Sequence, residues 1–172
     1  MLRFQEFKDH LLTQLTGKNL LTTPQLNKGT AFTAEERREL GLLGKLPAAI
    51  ETLEEQMQRA YLQFSAYYNQ DLQKHIYLNN LHDKNQVLFY YLVSTHLKEM
   101  LPLIYTPCVG AAVKEFSHEF RQARGLFISY DEREEMETIL GNRSNPEIDV
   151  IVVTDGERVL GLGDQGVGSI NI

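Results

Sequence analysis

Tyr105 stands between two prolines in Pro102-Leu-Ile-Tyr-Thr-Pro107. Each proline biases the residue before it toward extended backbone, so the direction of this phenol is set locally. A phenol so held is a candidate general acid if a nearby cation brings its pKa down from about 10 toward the working pH. The plain alternative is a packing tyrosine. Arg158 follows Asp155-Gly156, just past a β-branched run, on the side of an open α/β sheet where ligands collect. Its forked guanidinium suits a carboxylate, and the alternative is an exposed turn arginine. Gly161-Leu-Gly163-Asp-Gln-Gly166 has the spacing of a dinucleotide-binding loop. Such a loop needs a strand running into its first glycine, a helix N-terminus at the pyrophosphate and an acid about 20 residues on. Here Asp155-Gly156 ends the strand, Glu157 to Leu160 intervene, and Val167 to Ile172 follow. The glycines therefore read as a tight turn in which positive φ or close backbone approach is needed.

The other reactive side chains form no constellation. Asp155 and Asp164 read as turn formers rather than metal ligands. His10, His75, His82, His96 and His118 have no metal-ligand spacing and read as surface or packing residues, and the acidic run Asp131 to Glu137 reads as a solvated helix face. Cys108, the single cysteine, excludes an internal disulfide and a cysteine zinc cage; it reads as a small buried residue, with a reactive thiol at a helix start as the alternative. The net charge of −6, with both signs interspersed, gives no footprint for nucleic acid. No apolar run approaches the ~20 residues of a membrane span, and no signal core follows the N-terminus. A cytoplasmic location is the expectation.

Several elements must position these residues. Thr33-Ala-Glu-Glu36 and Thr52-Leu-Glu-Glu55 have the form of capping boxes, the first opening a short helix over 34–41. The second opens a helix of about four turns whose stripe is Leu53, Met57, Ala60, Tyr61, Phe64 and Tyr68. A shorter helix is expected over 71–81. A longer one is expected over 83–100, with Val87, Leu88, Tyr91, Leu92 and Thr95 inward, stopped by Pro102. Helical spacing resumes at Val109, Val113, Phe116 and Phe120. Gly125 to Ser129 reads as a short buried strand, 131–140 as a helix ending at Gly141-Asn142, and Asp149 to Val153 as a second buried strand. Strand, helix, strand suggests a parallel unit. The expected class is mainly α with an α/β portion. A helical N-terminal part over 1–100 leads into the start of a small parallel or mixed sheet over 101–172, with no polar linker between.

Taken together, five blocks carry more than their separate signals. Leu26-Asn-Lys-Gly-Thr-Ala-Phe-Thr33, Lys74-His-Ile-Tyr-Leu78, Leu103-Ile-Tyr-Thr-Pro-Cys-Val-Gly110, Arg124-Gly-Leu-Phe-Ile-Ser129 and Val152-Val-Thr-Asp-Gly-Glu-Arg-Val-Leu-Gly-Leu-Gly-Asp164 resemble, in order, the N-terminal region of the malic enzyme family. The form is most similar to bacterial NAD-linked members. The resemblance implies oxidative decarboxylation of malate to pyruvate and carbon dioxide with NAD or NADP and Mg²⁺ or Mn²⁺. Tyr105 matches the tyrosine that protonates C3, and Arg158 the arginine that holds the substrate carboxylate beside the cofactor.

The same resemblance places the general-base lysine, the carboxylate metal ligands and the nucleotide-binding domain beyond Ile172. Where the family runs Gly-Gly-Met-Gly-Ile-Pro-x-Gly-Lys, this sequence reads Gly168-Ser-Ile-Asn-Ile172. The expectation is that this chain alone binds neither metal nor NAD and does not turn over malate. Glu51 and Arg59 match two positions of a fumarate activator site found in some members. Lys84 stands at the third, where arginine is usual; lysine keeps the charge and loses the fork, and plain helix-surface charges are the alternative. The helical part supplies dimer contacts in the family, so a homodimer or larger assembly is expected. The reading from another class is a non-catalytic truncated paralogue or fragment that serves as a dimerisation or dicarboxylate-binding module.

Overall fold

The computed structural model describes residues 4–6, 11–119, 122, 124–143 and 148–172. They are mostly helical and divide into two compact units, Met1–Ile104 and Tyr105–Ile172.

The first unit opens with a short antiparallel pair, β1 (Phe4–Glu6) and β2 (Leu11–Thr13), with Phe4 opposite Thr13. Helices α1 (Gly17–Leu21) and α2 (Ala34–Glu39) follow. Leu20, Leu26, Phe32 and Leu42 make a small core there. Arg37 on α2 is only 5% exposed and works as a clamp. Its guanidinium donates to the carbonyls of Thr30, Phe32, Pro47, Ala48 and Ala49.

Both capping boxes form as the sequence predicts. Thr33 caps α2, and Thr52 caps α3 (Leu53–Ser65), where Glu55 N–H donates to Thr52 Oγ1 at 3.1 Å and Thr52 N–H donates to Glu55 Oε2 at 2.8 Å. These bonds, the backbone one foremost, hold the Glu55 carboxyl below its ordinary value. At Glu36 burial pushes upward, but the Lys28 ammonium and the Thr33 N–H outweigh it and the carboxyl is again lowered. A carboxylate lowered in the folded state contributes stability above its unfolded pKa, and that contribution is lost as pH falls through the folded one. The melting temperature should therefore drop below about pH 4.3. The Glu36→Gln/Glu55→Gln double variant should show a smaller drop between pH 6 and pH 3.5 in a circular-dichroism melt, and an equal drop would refute this account.

Helix α3 buries Met57, Ala60 and Phe64, whereas Tyr68 lies past its end and is exposed. Helix α4 (Asp71–Lys84) runs one turn beyond the expected Leu81. The single helix expected over 83–100 is two helices, α5 (Gln86–Thr95) and α6 (Leu97–Ile104). Asn85 starts α5 by accepting from Leu88 N–H, and the buried face is Leu88, Phe89, Leu92 and Val93. At the break, His96 stacks on Tyr61 at a centroid distance of 4.0 Å. Nor does Pro102 stop the helix: α6 continues through it. The proline removes the bond to the Lys98 carbonyl, but Lys98 is exposed to water, and buried Met100 and Leu103 hold the turn in place.

The second unit contains α7 (Cys108–Lys114), a 3₁₀ segment Tyr130–Glu135 leading into α8 (Met136–Gly141), and 3₁₀ turns Leu160–Leu162 and Gly166–Asn171. Of the expected helical set, Val109 and Val113 lie on α7 and are buried, Phe116 falls in a turn past its end, and Phe120 lies outside the described residues. The helix expected over 131–140 is half 3₁₀ and half α, and it does end at Gly141-Asn142.

The expected strands are the main correction. Among the described residues neither 125–129 nor 149–153 is a strand. Val152 and Val153 are each 87% exposed rather than buried. A parallel strand takes its hydrogen bonds from its neighbours, and the one described backbone bond to either run is local, from Glu132 N–H to the Ser129 carbonyl. Without a ladder, β-branched composition records only a capacity for burial. Val153→Lys should accordingly change the stability of this chain in a urea titration by no more than ~0.5 kcal/mol. A loss of several kcal/mol would mean that the run is buried after all.

Candidate active site

Tyr105 lies on the link Tyr105-Thr106-Pro107 between α6 and α7, a bend rather than an extended run. Pro107 suits the start of α7, because a proline at a helix start gives up an N–H that has no intrahelical acceptor there. The Tyr105 carbonyl accepts from Val109 N–H at 2.8 Å, which ties the link to the first turn of α7. Its ring is 41% exposed, and among the described residues its hydroxyl makes no hydrogen bond.

The glycine-rich segment is a closed turn. Gly156 has φ +74° and a Cβ there would lie 2.2 Å from Gly166 O, so only glycine fits. The Gly156 carbonyl accepts from the N–H groups of Gln165 and Gly166, and the Gly163 carbonyl from Val159 N–H. Asp155 Oδ1 accepts from Glu157 N–H and Asp164 Oδ1 from Gly166 N–H, the turn roles read for both aspartates. The Gly166 amide is thus bonded within the turn, and a 3₁₀ segment follows where a nucleotide loop needs the N-terminus of a helix. That segment packs on α7, where a Cβ on Gly168 would fall 2.7 Å from Val113 Cγ1.

Arg158 is exposed and its Nε donates to the Leu160 carbonyl at 3.1 Å. Among the described residues Nη1 and Nη2 have no hydrogen-bond partner, so the fork is free for an anion. Leu160 itself has φ +47°, an uncommon backbone for a residue with a side chain. Between this turn and the tyrosine link lies a pocket of about 80 Å³ lined by Tyr105, Thr106, Val159, Leu160, Gly161, Leu162 and Ile172. The structure therefore brings the tyrosine block and the glycine block to one cavity, with Arg158 next in sequence to a lining residue.

The other candidate residues lie in the first unit. Glu51 Oε1 accepts from Arg59 Nη1 at 2.7 Å, and its second oxygen takes the Thr30 hydroxyl. Thr30 is itself held by Arg37 through its carbonyl. Lys84 is exposed at the end of α4 and no described contact joins it to Glu51 or Arg59; its carbonyl accepts from Asn27. No three His, Cys, Asp or Glu side chains converge on a metal-sized site among the described residues. The closed glycine turn, with no helix behind it, does not fit a nucleotide. Cys108 is buried. Reading the sequence missed the Arg37 clamp and the bonded ring of His75; the main-chain carbonyls that Arg37 and His75 Nδ1 bind leave no signal in linear order.

Known proteins resemble this chain over nearly its whole length. The family model described as "Malic enzyme, N-terminal domain" matches residues 82–172, more than half of the chain. The NAD-dependent malic enzyme of Aeromonas hydrophila subsp. hydrophila is 56% identical over 165 residues, covering 96% of this chain and 29% of that protein. NAD-dependent malic enzyme 2 of Vibrio vulnificus is 54% identical over 156 residues, covering 91% of this chain and 28% of that protein. The chain thus spans less than a third of the length of these curated relatives. The matched region contains both blocks that line the cavity, and on these grounds the chain belongs to the malic enzyme family.

Proposed function

We propose that this chain is the N-terminal, substrate-side portion of an NAD-dependent malic enzyme, which converts malate and NAD⁺ to pyruvate, carbon dioxide and NADH. The observation that carries the reading is the meeting of Tyr105 and the Val159–Leu162 turn at one cavity. Next in sequence to the cavity-lining residue Val159, Arg158 holds a substrate carboxylate through its free Nη pair. Tyr105 gives its phenolic proton to C3 of the enol of pyruvate: the C2–C3 π pair takes the proton and the methyl group forms, the enol O–H proton passes to water as the C2 carbonyl forms, and the phenolate left behind is reprotonated from water at its exposed face. Hydride transfer and metal chemistry call for groups that the described residues do not supply, so the chain alone is expected to be inactive. No described helix is long and apolar enough to cross a membrane.

The test is a chimera in which this chain replaces the matching part of the Aeromonas hydrophila relative. Malate-dependent NADH formation with Mn²⁺ is expected from the folded chimera and not from the pure 172-residue chain. A folded chimera without turnover would overturn the reading. A homodimer through the helical part over 1–100 belongs to the same proposal, and a strictly monomeric mass in light scattering would count against it. The Glu51–Arg59 pair is a regulatory anion site in this reading. Arg59 is already bonded to Glu51 and Lys84 lacks the fork, so fumarate control is expected to be weak.

A further inference from the structure

His75 is 2% exposed on α4, yet both of its ring nitrogens are engaged. Asn79 Nδ2 lies 2.7 Å from Nε2 and also donates to the His75 carbonyl at 3.2 Å. An amide nitrogen only donates, so Nε2 accepts, the ring proton sits on Nδ1, and Nδ1–H donates to the Leu103 carbonyl at 2.7 Å. That carbonyl is in the last turn of α6. Its helical donor would be the N–H four residues on, which is Pro107, and proline has none. His75 thus supplies, from another helix, the donor that Pro107 cannot.

We propose that His75 is a positioning residue for Tyr105. By holding the Leu103 carbonyl, two residues upstream, it fixes the end of α6 and the point from which the Tyr105-Thr106-Pro107 link departs. Pro107 sets the far end of the link and removes a helix bond at the near end, and His75 makes good that loss. A residue needed only to fill space at this position would be apolar. The inference rests on the reading of Tyr105 as the proton donor, though the geometry at Leu103 stands without it.

The test uses the 172-residue chain with ¹³Cζ-labelled tyrosine, the Tyr105 resonance being assigned by its loss in Tyr105→Phe. His75→Phe fills the space without a donor and should abolish the single Tyr105 resonance, by broadening or by splitting. His75→Asn, whose Nδ2 overlays Nδ1, should restore it. A folded His75→Phe variant with a lower melting temperature and an unchanged Tyr105 resonance would reduce His75 to a packing role and overturn the proposal. If His75→Phe does not fold, Asn79→Ala, which frees the ring to turn, is read in the same way: a changed Tyr105 resonance supports the proposal and an unchanged one overturns it. Full turnover by a Tyr105→Phe chimera would instead sink the proton-donor reading and leave the resonance result standing.

Discussion

Tyr105→Phe, introduced into the chimera with the Aeromonas hydrophila relative, is expected to lower kcat for malate oxidation by about 10²- to 10⁴-fold, the range for loss of a positioned general acid. KM for malate should change little. The phenol hydroxyl has no protein partner among the described residues, and the carboxylate of the substrate is assigned to Arg158. A loss in kcat and kcat/KM together, without a change in KM, is the signature of a group that acts in the transition state. Arg158→Lys should show the other pattern, a higher KM, because the ammonium keeps the charge and loses the second hydrogen bond of the fork. The fold gives no competing explanation for the tyrosine. Its ring is 41% exposed, so the isolated variant should match the parent in a thermal melt. Should Tyr105→Phe raise KM alone, the tyrosine would be a substrate-holding residue and the proton would have to come from elsewhere.

What could be read in advance was what is encoded within a few residues. The two capping boxes are contained in Thr33–Glu36 and Thr52–Glu55, and both form with the bonds that their residue types imply. The turn nature of the glycine segment was legible because Asp155-Gly156 lies where a nucleotide loop would need strand. The misses share a different cause. The break at His96 has no glycine or proline to mark it; Tyr61 stacks on that imidazole from another helix and bonds Glu99 just past it. The runs 125–129 and 149–153 have the composition of strands, but strand formation needs a neighbouring backbone, and none of the described residues provides one. Tyr105 and Arg158 were legible as residue types in constrained settings. That their blocks share a cavity was not, since about fifty residues separate them and the packing of α7 against Leu162 and the C-terminal 3₁₀ segment closes the distance.

Arg37 is the residue on which the first unit should depend most. Its five hydrogen bonds all go to main-chain carbonyls, three of them in the consecutive residues Pro47, Ala48 and Ala49 and two in Thr30 and Phe32. These segments lie in loops and in the single 3₁₀ turn Gly29–Ala31, and of the five carbonyls only that of Thr30 has a second described donor, Glu51 N–H, so the guanidinium stands in for secondary structure. Arg37→Met keeps much of the apolar stem and removes every donor. Its cost is the loss of charge-assisted hydrogen bonds, worth about 1.5–3 kcal/mol each, offset as the loops open and water reaches the carbonyls. A net destabilisation of about 3–5 kcal/mol is expected, comparable to breaking a buried ion pair and a large part of the 5–15 kcal/mol that holds a typical domain together. Arg37→Lys should recover less than half of it, because an ammonium cannot reach both segments with the planar fork. Urea titration at neutral pH gives the midpoints. Hydrogen exchange gives the location: Glu51 N–H, which donates to the Thr30 carbonyl, should lose protection before the amides of α5 do. Full rescue by lysine would show that charge alone matters at this site, and the fork would then have no part in joining the two loops.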